Sequence, residues 1–209
     1  MRAHPTLTLL AIFFLSGFCG LVYQVVWVRE FGRFFGNTLH SAALVSGVFV
    51  SGLGVGALLA GRLADRRHAG DASFGLRAYA WSEAAIGALG LGILALLPQL
   101  EPLSARISSY ALDANGWHVL TGGSYALRYA LAFVVLTPIT LLMGATLTLL
   151  IRYLVASDVG DAGMRVAVLY GANTLGAAVA CLAVDLAIVP ALGLSRAQAL
   201  AAGGNFAAA

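Results

Sequence analysis

The sequence predicts an all-α, polytopic integral membrane helix bundle of about six spans, and two observations carry that reading. Of the 209 residues, 60% are hydrophobic and 10% are charged, against roughly 25% charged in an ordinary soluble domain. That little charge does not make a water-facing surface. The apolar residues also fall in blocks near the ~20 residues an α-helix needs to cross a ~30 Å hydrocarbon core. Lipid offers peptide groups no water to bond, so such blocks fold as helices.

The blocks place spans at about 7–28, 41–61, 77–97, 125–151, 166–190 and 194–209, together one transmembrane domain over 1–209. The first runs from Leu7 to Val28, longer than the apolar core of a signal peptide. Gln24 to Arg29 stand where a small-residue cleavage site is expected, so the block reads as a retained span. The second holds Gly52-Leu-Gly54-Val-Gly56-Ala57, the letters of a dinucleotide fingerprint without the strand and turn that make it work. Gly52, Gly56 and Ala60 instead form a smooth face for close helix packing. Ser16/Gly20 and Gly176/Ala180 are similar small-residue pairs on the first and fifth spans.

The connection over 98–124 is the longest. Glu101-Pro102 can start a short helix there, with Leu103, Ile107 and Tyr110 on one face at the interface; an ordinary structured loop is the alternative. Pro138 removes a backbone hydrogen bond from the fourth span and should kink it. The sixth span is incomplete and poor in the large side chains that favour insertion.

Short cytoplasmic loops hold an excess of basic residues. With the N-terminus inside, Arg2, Arg62, Arg66, Arg67, Arg77, Arg152 and Arg165 are cytoplasmic, and Arg29, Arg33, Arg106, Arg128 and Arg196 lie opposite. Both termini are thereby placed in the cytoplasm. The arginines form no nucleic-acid patch. Cys19 and Cys181 sit alone in apolar blocks and read as small core residues. His40 and His118 share the outer face, but two scattered histidines make no metal site, so neither a metal nor another cofactor is expected.

A charged group near mid-membrane costs at least ~2.5–3.5 kcal/mol, so it faces the bundle and has a partner. Gln24, Glu83, Asn173 and Asp185 are the groups to watch, as helix-bridging hydrogen-bond groups or as substrate contacts. Asn173 lies deep in its span, whereas Glu83 and Asp185 lie near span ends, where snorkelling lowers the cost. Arg29 and Glu30 mark the interface beside Tyr23 and Trp27, an aromatic-belt arrangement. Gly61-Arg62-Leu63-Ala64-Asp65-Arg66 ends the second span; Asp65 and its arginines can hold helix ends together, while the arginines alone serve topology. No serine–histidine–acid set assembles.

Leu15-Ser-Gly-Phe-Cys-Gly-Leu-Val-Tyr-Gln-Val-Val-Trp-Val-Arg-Glu30, the Gly61 to Arg66 string, Leu142-Met-Gly-Ala-Thr-Leu147 and Leu169-Tyr-Gly-Ala-Asn-Thr-Leu-Gly176 resemble the membrane region of bacterial spermidine synthase-like membrane proteins. The resemblance runs from about residue 10 to 200. It implies a fold like half of a major facilitator, a soluble aminopropyltransferase-like domain elsewhere in the family, and a link to polyamines. This sequence has no strand–glycine–turn motif for a nucleoside, so no catalytic residue carries over. Gly61, Asp65 and Arg66 also match a facilitator loop whose Asp and Arg form a cytoplasmic gate, although His68 and Ala69 depart from it.

Two functions follow as expectations. One is a non-catalytic module that lies in the bilayer and anchors or assembles with a protein partner or with further copies of itself. The other is a small-solute carrier, with polyamines as the candidate solutes, built from oligomers of six-helix halves.

Overall fold

The computed structural model describes residues 4–35, 38–68, 73–155 and 162–209. Arg2 and Ala69 lie outside them, as do the side chains of His68 and Glu101. The chain forms α1 (His4–Phe35), α2 (Thr38–His68), α3 (Phe74–Ile107), β1 (Tyr110–Leu112), β2 (His118–Leu120), α4 (Gly122–Val155), α5 (Ala162–Ala183), a π-helical turn (Val184–Ile188) and α6 (Val189–Ala208). Among the described residues, five helical stretches are long and apolar enough to cross a membrane: Leu7–Phe35, Leu39–Arg67, Phe74–Arg106, Gly122–Leu154 and Gly163–Ala208.

The last stretch is two helices. Pro190 cannot donate to the carbonyl four residues back, and its ring would crowd that oxygen. The π turn inserts an extra residue there and relieves the clash. Three residues later Gly193 adopts φ 76°, ψ 170°, a conformation essentially reserved for glycine, and ends the helical run. The sequence divides the fifth and sixth spans at the same place.

The connection between the third and fourth spans differs from expectation. No new helix begins at Glu101-Pro102; α3 continues through Pro98 and Pro102 to Ile107. Tyr110 is then in a strand, and β1 and β2 pair antiparallel with Tyr110 opposite Leu120. The Asp113 carboxylate accepts the backbone N–H groups of Asn115 and Trp117, each at 2.8 Å, and Gly116 supplies the positive φ the turn needs.

The helices pack as two intimate pairs, α2 with α4 and α1 with α5, with α3 and α6 packed on each other and bridging to α4 and α1. Exchanging α1 for α4, α2 for α5 and α3 for α6 maps α2–α4 onto α1–α5, α3–α4 onto α1–α6 and α3–α6 onto itself, so the packing has the order of two three-helix halves. Both intimate pairs are glycine seams. A methyl group on Gly56 would collide with the Leu141 carbonyl, one on Gly52 with the Thr140 side chain, and one on Gly144 with the Leu53 carbonyl. Ala60 continues the buried face. Across α1 and α5, Gly17 meets the Asn173 backbone and Gly176 the Phe14 backbone. Gly20, expected to pack with Ser16, has open space beside it.

Candidate functional site

Between the α1–α5 and α2–α4 pairs lies a cleft of about 520 Å³. It exists because the glycines pull each pair together from within and leave the pairs apart from each other. Phe13, Phe49 and Met143 give it apolar walls, and Gln24, Thr146 and Asn173 place neutral polar groups in them. Ser16 and Asn205 also line it, and these two reach past the wall to Glu83 of α3.

Glu83 is fully buried. The Ser16 hydroxyl donates to its Oε1 at 2.5 Å and the Asn205 amide to its Oε2 at 2.6 Å. The Tyr79 hydroxyl, one helical turn earlier on α3, is near enough to interact with the carboxylate yet has no hydrogen-bond partner. A second buried link ties the same helices: Gln198 Nε2 of α6 donates to the Gly90 carbonyl of α3 at 2.8 Å. The missing side chain at Gly90 makes room for the Tyr23 hydroxyl. A polar seam thus runs through the α1–α3–α6 contact, where lipid cannot satisfy it.

The four polar residues singled out in the sequence therefore separate. Gln24 and Asn173 line the cleft; the Asn173 amide also donates to the Phe13 carbonyl at 3.1 Å and pins α5 to α1. Glu83 does not snorkel near a span end, because α3 packs this turn against α1 and α6 and buries it. Asp185 sits in the π turn, half-exposed, 2.6 Å from Arg29 of α1.

Tyr23 and Trp27 do not form an interfacial belt; both are fully buried and stack at 5.1 Å. Cys19 is in the core, but Cys181 is exposed on the helix surface. Asp65 makes an ion pair with Arg152 of α4, while Arg66 is exposed and a methyl group on Gly61 would reach the Thr148 methyl at ordinary contact distance. His40 Nδ1 lies 2.7 Å from the Tyr129 hydroxyl.

Sequence reasoning missed Arg128. Its buried guanidinium donates to the Phe34 carbonyl at 3.0 Å and to the Ser108 hydroxyl at 2.6 Å, tying the ends of α1 and α3 to the start of α4. The α1 end offers the negative pole of a helix to this charge. It also missed Asn205 and Gln198, since the Ala- and Gly-rich sixth helix reads as featureless.

The cleft lining contains no His, Cys, Asp, Glu or Arg. It can hold and orient a ligand.

An apolar helical bundle with a neutral cleft backed by one buried carboxylate belongs among polytopic membrane-type proteins. Among curated proteins the chain is similar to polyamine aminopropyltransferase 2 of Streptomyces coelicolor, with 31% identity over 187 residues. The similarity covers 88% of this chain and 29% of that protein, so the chain spans under a third of its length. No protein-family model matches, and no solved structure matches.

Proposed function

We propose that this chain is a non-catalytic membrane module of a polyamine aminopropyltransferase system, holding a transferase partner at the bacterial cytoplasmic membrane with its own N-terminus inside. One observation carries the reading: the similarity to an aminopropyltransferase falls on a segment made of membrane-length helices and covers 88% of it. A lining without His, Cys, Asp, Glu or Arg fits a role in placement rather than chemistry. The exchange symmetry of the helix pairs supports the finer comparison with half of a major facilitator fold. Partner and bundle would meet either directly or through further copies in the bilayer.

The experiment is to tag the chain in its native host, solubilise membranes in mild detergent, and assay the purified sample for aminopropyl transfer onto putrescine. The reading expects transferase activity to co-purify with the tagged chain and to leave the membrane fraction when the chain is deleted. A lone, monodisperse monomer without that activity overturns it.

The cleft is also what a solute carrier needs, but a relative named as a transferase does not favour that alternative. Polyamine uptake by proteoliposomes holding this chain alone would restore it.

A further inference from the structure

Glu83 presents an electrostatic problem that the fold leaves open. A carboxylate removed from water needs a counter-charge or a full set of donors. Among the described residues no basic side chain faces it; its neighbours are Ser16, Tyr79 and Asn205, all neutral. Two oxygen atoms of that same cluster, the Tyr79 hydroxyl and Asn205 Oδ1, are buried without hydrogen-bond partners.

A proton on Glu83 would remove the charge but would supply a single new donor to a cluster with two buried, unpartnered oxygens. A cation answers both needs, because it neutralises the carboxylate and takes several oxygens at once. One carboxylate matches one positive charge. Divalent calcium or magnesium is held by richer sets of oxygen ligands, commonly more than one of them charged. The cleft lies one contact away, since Ser16 and Asn205 line it and touch the carboxylate at the same time.

We propose that Ser16, Tyr79, Glu83 and Asn205 form a binding site for a small monovalent cation that enters from the cleft. The ligand is either a sodium ion or the –NH₃⁺ end of an organic amine, whose three donors match Glu83, Tyr79 and Asn205. An amine seated this way leaves its chain in the apolar cleft, beside Gln24 and Asn173. The site rests on the packing of α1, α3 and α6, so its failure leaves the membrane-module reading standing.

The test uses the detergent-purified full chain in choline chloride, a cation too bulky for the cluster. Thermal unfolding is followed by tryptophan fluorescence while sodium chloride or putrescine hydrochloride replaces choline at constant ionic strength. Binding to the folded state raises the unfolding temperature saturably. A response to sodium alone identifies an inorganic ion, and one to putrescine alone identifies an amine; either supports the site.

In Glu83→Gln the response should vanish while the helical circular dichroism stays native. If that variant does not fold, Tyr79→Phe keeps the packing, removes one oxygen, and should raise the half-maximal concentration about tenfold, the scale of one hydrogen bond to a charged group. No saturable shift from either cation overturns the proposal. So does an undiminished response in both variants, or a stability that follows pH but neither cation, since a proton alone would then fill the site.

Discussion

The α2–α4 contact and the α1–α3–α6 contact are both helix seams, built by opposite means. The first is dry and relies on absent side chains: Gly52, Gly56 and Gly144 let backbones touch. The second is polar and relies on side chains that find each other far along the chain, Glu83 with Ser16 and Asn205, and Gln198 with Gly90. In lipid there is no hydrophobic force between helices, so close van der Waals contact and interhelical hydrogen bonds are the two means available. A glycine seam fixes distance but tolerates sliding. A hydrogen-bonded seam fixes register, because each donor has one acceptor.

The largest expected effect lies in the dry seam. Gly56→Ala places a methyl group against the Leu141 carbonyl, which is backbone and cannot turn aside, whereas Gly54→Ala meets open space. Overpacking of this kind costs typically ~1–3 kcal/mol, and here the seam should open. Size-exclusion chromatography in detergent should show Gly56→Ala aggregating or broadened and Gly54→Ala native. Equal behaviour of the two would break the contrast between the seams.

Next comes Arg128, whose removal leaves the end of α1 and the Ser108 hydroxyl without their donor. Arg128→Ala should lose about 2–3 kcal/mol, the range for hydrogen bonds to a charged group. A marked drop in unfolding temperature in detergent should report it, and Arg128→Lys should recover only part. Asn173→Ala removes a single interhelical hydrogen bond to Phe13. About 1 kcal/mol is expected, since such bonds average well below their ideal strength in membranes. Smallest is Asp185→Asn, because its pair with Arg29 is half-exposed on both sides. It should change stability by under about 1 kcal/mol, and high salt should erase the difference.

How much of this was legible follows the same division. Gly52, Gly56 and Ala60 sit at fixed spacing on one helix, so their shared face can be read from the string alone. The division of the fifth and sixth spans is marked locally by Pro190 and Gly193. The order of the apolar runs is local as well, because such a run needs no partner to be seen, although the last two of the six expected spans form one membrane-length stretch, Gly163–Ala208. The polar seam is not local. Glu83 and Asn205 are 122 residues apart, and nothing near either announces the other.

Span ends were also poorly marked. The helices run several residues past the apolar blocks, which is why Glu83, Tyr23 and Trp27 lie in the core rather than at an edge. The hairpin had a signal that passed unread, Asp113-Ala-Asn-Gly116, a turn sequence with an acceptor at its start and a glycine for positive φ.

Both seams presuppose that hydrocarbon, not water, surrounds the bundle, and that is open to direct measurement. Cells expressing the tagged chain are lysed, and the membranes are washed with alkaline carbonate and then extracted with detergent. The account predicts that the chain stays in the pellet through carbonate and is released only by detergent. Recovery of folded chain in the aqueous supernatant, before any detergent is added, would contradict it.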